Sequence, residues 1–65
     1  MKVNKFKLKY KTKNKSWLVE GPNFKASNNN YYQALNIGRK EAQGKKGELH
    51  IYKEDGSLKE VVSFN

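Results

Sequence analysis

The chain contains no cysteine, which excludes disulfide frameworks, thiolate metal sites and cysteine nucleophiles in one step. It has a single histidine, His50, with no thiol to pair with it for nucleophilic catalysis. Metal-spacing motifs and a glycine-rich phosphate loop are both missing. No apolar run approaches the length of a transmembrane helix. Lysines interrupt the basic N-terminal stretch at every second residue, so it is not followed by the apolar region of a secretory signal. A soluble, cytoplasmic protein with no membrane partner is expected. Acids are scarce as well: there are six, and none precedes Glu20. Four of them, Glu48, Glu54, Asp55 and Glu60, fall around one turn, and the pattern sets no carboxylate pair across a concave pocket, as acid–base work requires. The expectation is a protein that is not an enzyme and carries no cofactor or metal.

What the chain has in abundance is lysine. In Lys5 to Lys15 every odd position is lysine, while the even positions begin Phe6, Leu8, Tyr10. Strand side chains point alternately to opposite faces, so this is a strand with one apolar and one cationic face. Of the formal net charge of +8, seven lysines precede the first acid, and the remaining fifty residues carry seven basic and six acidic groups. The charge is therefore a local property of the first strand. With 65 residues, the chain is predicted to form one domain, residues 1–65, near the lower size limit for a core without covalent staples.

The order of elements follows from periodicity and turn chemistry. Residues 4 to 11 are predicted as the first strand and Thr12 to Lys15 as a turn. Ser16 to Glu20 forms the second strand, with Trp17 and Val19 inward and Leu18 outward. Gly21-Pro22-Asn23 is a turn, and Phe24 to Ala26 a short third strand. Asn30 is an N-cap, with Gln33 placed to reach back as in a capping box. The helix runs from Tyr31 to Gln43 with the stripe Tyr31, Ala34, Leu35, Gly38, Ala42. Its small residues permit a close approach to a sheet, and Gly44 with Lys45 and Lys46 supplies the stop. Glu48 to Lys53 is a strand with Leu49 and Ile51 inward and His50 and Tyr52 outward. Asp55-Gly56 signals a two-residue hairpin turn with both central residues at positive φ. Leu58 to Phe64 returns with Leu58, Val62 and Phe64 on one face and Lys59 and Val61 on the other. Strict alternation puts Glu60 on the core face, which a bulge or an edge position would relieve.

The fold class expected is α+β: an antiparallel sheet of four or five strands, order ββ(β)αββ, with one helix packed on one face. The other face is left open. The apolar side of the first strand meets the helix, so its lysines point to the open face.

Specific residues also resemble a known family. Trp17-Leu18-Val19 matches a Trp-x-Val strand. Asn30 to Leu35 is similar to a helix opening Thr-x-x-Glu-Ala-Ile, and Gly38 to Ala42 to Ala-Arg-x-x-Ala. Glu48-Leu49-His50-Ile51 before Asp55-Gly56 matches Glu-Leu-x-Ile before an Asp-Gly turn, and Ser63-Phe64-Asn65 is similar to a terminal Ser-Tyr-Gly. In this order and spacing the chain resembles a small bacterial and phage family catalogued as domain of unknown function 2188. Asn30 stands for threonine, Gly38 for alanine, and the glycines at 44 and 47 differ from the family's single glycine. The resemblance implies a small α+β domain and brings no activity or catalytic residues; a bacterial or phage source is expected from size and composition.

For function, the lysine stripe has two readings. Successive lysines on one strand face lie roughly 6.5 to 7 Å apart, so six span about 33 Å. The candidate residues for contact with nucleic acid or an acidic partner are Lys5, Lys7, Lys9, Lys11 and Lys13, with Tyr52 and His50 on the same face for base stacking. A straight row cannot follow a winding duplex throughout, so three or four simultaneous phosphate contacts are expected, and more on a flexible single strand. The other reading gives the lysines to solubility and protection of an exposed strand. The protein is then an interaction or regulatory module that pairs as a homodimer through its uncovered face or edge, while docking of an acidic protein surface would use the lysines themselves.

Overall fold

The computed structural model describes residues 4–64; Lys2 of the basic stretch and Asn65 of the terminal motif lie outside the described residues. Five strands and one helix follow the order β1 (Lys5–Lys11), β2 (Ser16–Gly21), β3 (Phe24–Asn28), α1 (Tyr31–Gly44), β4 (Glu48–Tyr52) and β5 (Leu58–Ser63). They form an α+β fold with a single five-stranded sheet in the order β3-β2-β1-β4-β5. The expectation of an antiparallel sheet is corrected at one junction: β1 pairs with β4 in parallel, Phe6 opposite Leu49 and Leu8 opposite Ile51. The other three pairings are antiparallel. The reason is the crossover. The β1–β2–β3 meander leaves β3 running in the direction of β1, and α1 carries the chain back across the sheet to the free side of β1. A strand returning after such a crossover arrives parallel.

Alternation in β1 buries Phe6 and Leu8 fully. Trp17 and Val19 of β2, Leu49 and Ile51 of β4, and Ala34 and Ala42 of α1 complete the core. Each large side chain fully removed from water contributes on the order of 1.5–3 kcal/mol. The helix stripe works as its spacing predicts: Ala34, Gly38 and Ala42 are its buried residues. A β-carbon on Gly38 would sit 3.0 Å from Leu49 Cδ1. The missing methyl is thus the space Leu49 fills.

The helix start follows the sequence in part. Asn30 Oδ1 accepts from the Tyr32 and Gln33 amides at 2.9 and 3.1 Å. Gln33 does not reach back to Asn30. Its Oε1 accepts from Asn28 Nδ2 at 2.9 Å, and the Asn30 amide donates to Asn28 Oδ1 at 2.7 Å. Asn28, in the longer-than-expected β3, takes the role given to the capping box because it ends one residue short of the cap. At the other end Gly44 is helical and the left-handed residue is Lys46, φ 50°. The Lys46 amide donates to the Gln43 carbonyl and the Gly47 amide to the Ala42 carbonyl at 3.1 and 2.8 Å, the two bonds of a Schellman ending. The glycine that the geometry requires is Gly47, since a β-carbon there would collide with the Asn4 carbonyl oxygen.

The last hairpin differs from its expected form. Only Gly56 of the Asp-Gly pair has positive φ, 93°. The Gly56 amide donates to the Lys53 carbonyl at 3.0 Å and the Lys53 amide to the Ser57 carbonyl at 2.8 Å, so the loop has three residues, Glu54 to Gly56, with glycine in the left-handed position. A register shift follows, pairing Tyr52 with Leu58 and Ile51 with Glu60. Lys59 is the extra residue of a bulge. Opposed residues share a face, so Leu58 stands beside Tyr52 on the open face, not with Val62 as alternation predicts. Glu60 keeps its place on the inner side. It is exposed there because α1 packs on β1 through β4 and stops short of the edge strand β5. Among the described residues no helix is long and apolar enough to cross a membrane.

Candidate nucleic-acid interface

β1 is the central strand, with β2 and β4 on its two sides. Lys5, Lys7, Lys9 and Lys11 therefore run down the middle of the face opposite α1. Four lysines at a two-residue repeat extend over about 20 Å. Lys13 and Lys15 are in the turn that follows, Lys15 at φ 49°, so the straight row ends at Lys11. Lys13 is exposed but off the sheet.

Register fixes what flanks this row. Lys7 stands opposite Glu20 and Lys9 opposite Leu18 on β2. Lys5 stands opposite Glu48 and Lys7 opposite His50 on β4. Lys25 of β3 faces Glu20 from the far side. Glu20 is thus an acid among lysines, 3.7 Å from Lys9 Nζ and 3.9 Å from Lys25 Nζ. Lys9 is the most committed of the row, with its side chain 37% exposed, whereas Lys5, Lys7 and Lys11 are exposed. His50 is half-buried, its Nε2 3.1 Å from Glu48 Oε1. The ring is thereby held against a carboxylate of its own strand. Tyr52 is half-buried too, at the end of β4, and borders a 300 Å³ concavity together with Lys7, Lys9, Tyr10, Lys53 and Gly56. The sheet face brings together Lys5, Lys7, Lys9, Lys11, His50 and Tyr52 of the sequence-predicted set, and leaves out Lys13.

A second group was not assembled by sequence reasoning. Tyr10 and Trp17 form a cross-strand pair with centroids 5.0 Å apart. Trp17 meets Tyr31 edge-on at 4.8 Å, and Tyr31 meets Tyr32 edge-on at 5.3 Å. The bulge turns Lys59 toward this ladder: its Nζ lies 5.4 Å from the Tyr31 centroid and donates to Tyr31 Oη at 3.4 Å. Trp17, Tyr31 and Tyr32 line an open cleft of about 490 Å³ together with Tyr52, Lys53, Glu54 and Lys59. The available signal was the Tyr31-Tyr32 pair at the helix start, where one ring joins the stripe and the next must point about 100° away. Lys59 had no local signal, since its direction depends on the bulge.

In the adjoining loop, Asp55 Oδ1 accepts from the Ser57 hydroxyl and amide at 2.7 and 2.9 Å. These two bonds, the hydroxyl first, hold the Asp55 carboxyl below its ordinary value of 3.8.

A mixed five-stranded sheet with one covered and one lysine-lined face defines the class: a small α+β domain with an uncovered sheet surface. Comparison with family models, with curated proteins and with solved structures returns no significant match.

Proposed function

We propose that the protein is a small, non-catalytic binding module that contacts nucleic-acid phosphates through the lysine row of β1. The observation that carries this is the central position of β1. Edge protection is a task for edge strands, and the edges here are β3 and β5; lysines on an interior strand guard no edge. They lie instead where a ligand resting on the uncovered face would meet them. Membership of domain-of-unknown-function family 2188 and a cytoplasmic location in a bacterial or phage setting belong to the same proposal.

The test is an amide-shift titration with DNA and RNA at two salt concentrations, paired with a Lys7→Gln, Lys9→Gln, Lys11→Gln variant. Three or four duplex phosphate contacts predict a log–log salt slope of about −3 to −4, and the same number on a single strand about −2 to −3. The variant is expected to fold as the parent does and to lose most of that slope. Absence of shifts on the open-face residues at low salt overturns the proposal.

A second reading is favoured by a separate observation. β5 is an edge strand exposed along most of its length, and Leu58 and Val61 are 51% and 45% exposed. Apolar groups beside an exposed edge strand suit a protein partner or a second copy, for which the lysines would serve solubility. Salt-resistant shifts confined to Leu58, Val61 and Leu18 on raising the protein concentration would support it.

A further inference from the structure

The cleft at the end of the sheet differs in chemistry from the lysine row. Its walls are aromatic, with cations at Lys53 and Lys59 and a carboxylate at Glu54. Tyr31 is already engaged by Trp17 and Tyr32 at its edges and by the Lys59 ammonium. Tyr32 meets Tyr31 but stays 72% exposed, a large aromatic on the first helical turn. Tyr52 and Lys53 border this cleft as well as the concavity beside Lys7 and Lys9, so the two regions adjoin along these two residues.

We infer that the cleft takes one unstacked base of a single-stranded nucleic acid, stacked on Tyr32, while the adjoining phosphates pass Lys59 and Lys53 and continue over Tyr52 onto Lys9 and Lys7. This rests on the phosphate-binding reading of the lysine row and names its partner class. Each group in the cleft has a part in it. An aromatic face accepts any base. Ammonium groups beside it meet the backbone charge. The Glu54 carboxylate repels phosphate but accepts N–H groups from a base edge, which selects the base for the cleft and the backbone for its rim. A paired base cannot enter, since its faces are covered by its neighbours and its edge by its complement. The module is therefore selective for single strands or for unpaired ends.

The sole tryptophan, Trp17, forms part of the cleft wall and reports occupancy by its fluorescence. Titrations would use a short single-stranded oligonucleotide of mixed sequence and its annealed duplex, at one low salt concentration. The expected result is tryptophan quenching with the single strand and tighter binding of it than of the duplex. Tyr32→Ala is expected to weaken single-strand binding about 5- to 150-fold, the range for one base stacked on an aromatic ring, and to leave duplex binding unchanged. Tyr32→Leu, which keeps apolar bulk without a π face, should fall with Tyr32→Ala. Lys7→Gln with Lys9→Gln should weaken both ligands. Equal affinity of single strand and duplex, or equal loss on both in Tyr32→Ala, or full affinity in Tyr32→Leu, overturns the base-binding inference while leaving the phosphate surface standing. Failure of the parent protein to bind either ligand overturns both together.

Discussion

Glu20 is the one acid set between lysines of the open face, and replacing it gives a prediction in which binding and stability move in opposite directions. In Glu20→Gln the shape of the side chain is kept and its charge removed, freeing Lys9 and Lys25, which lie 3.7 and 3.9 Å from it. The cost to the fold is small. Both ion pairs are partly solvated, and exposed pairs are worth about 0–1 kcal/mol each; in a domain of this size each kcal/mol lost lowers Tm by about 4–8 °C. The gain in binding comes from two sources. A phosphate held by Lys9 would sit about 7 Å from the Glu20 carboxylate, a repulsion of about 0.6 kcal/mol in water, or threefold in affinity, before screening. Each lysine released to a phosphate also steepens the single-strand salt slope by about 0.7. Fluorescence anisotropy with a labelled single strand, repeated over a salt series, measures both, and a thermal melt of the same sample measures stability. Tighter binding at low salt, a steeper slope by about 0.7 to 1.4 and a slightly lower Tm are expected. Unchanged or weaker binding at low salt would refute the reasoning, because it would mean that polyanion binding does not involve Lys9 or Lys25.

Two further outcomes concern the fold. A β-carbon at Gly21 would overlap the Phe6 ring, which is fully buried, so Gly21→Ala should destabilise by about 1–3 kcal/mol through overpacking. Urea unfolding checks this, and pairing the change with Phe6→Leu should recover part of the loss. At the last hairpin, the Asp55 carboxyl is held below 3.8, so its hydrogen bonds to Ser57 stabilise the fold above that pH and are lost as pH falls through the lowered value. Asp55→Ala should therefore be less stable than the parent at neutral pH, with the difference closing in acid; a constant difference in urea midpoint at both pH values would show that the charge is not what matters.

How much of this was legible in the sequence depends on the range of the interaction concerned. The two-fold repeat of Lys5 to Lys11, the stripe of Ala34, Gly38 and Ala42 and the Asn30 cap are set by neighbours within about four residues, and each stands where its pattern put it. The parallel pairing of β1 with β4 is not of that kind. Nothing in Phe6 or Leu8 distinguishes a parallel from an antiparallel neighbour, and the outcome is decided by where α1 delivers the chain. The direction of Lys59 depends on one extra loop residue, because a three-residue turn shifts the register that a two-residue turn would have kept. The same holds for the site. The cationic face could be read from alternation alone, but the placing of Glu20 and Glu48 beside it needs the strand order, and the cleft of Tyr32, Tyr52 and Lys59 needs the bulge.

The parallel junction also has a kinetic side. The meander of β1 to β3 and the hairpin of β4 and β5 can each form from nearby residues, whereas Lys5 to Leu8 reach Glu48 to Ile51 only after the whole crossover is in place. Closing so long a loop is the step that topology makes slow. The strand that waits for it is the one carrying four like charges. A polyanion lying on the row would relieve that repulsion wherever β1 is formed; one that also reaches the neighbouring β4 would favour the closed sheet over its separated halves and stabilise it by mass action. For a ligand that spans β1 and β4, occupancy of the open face and closure of the sheet would be linked equilibria, each strengthening the other.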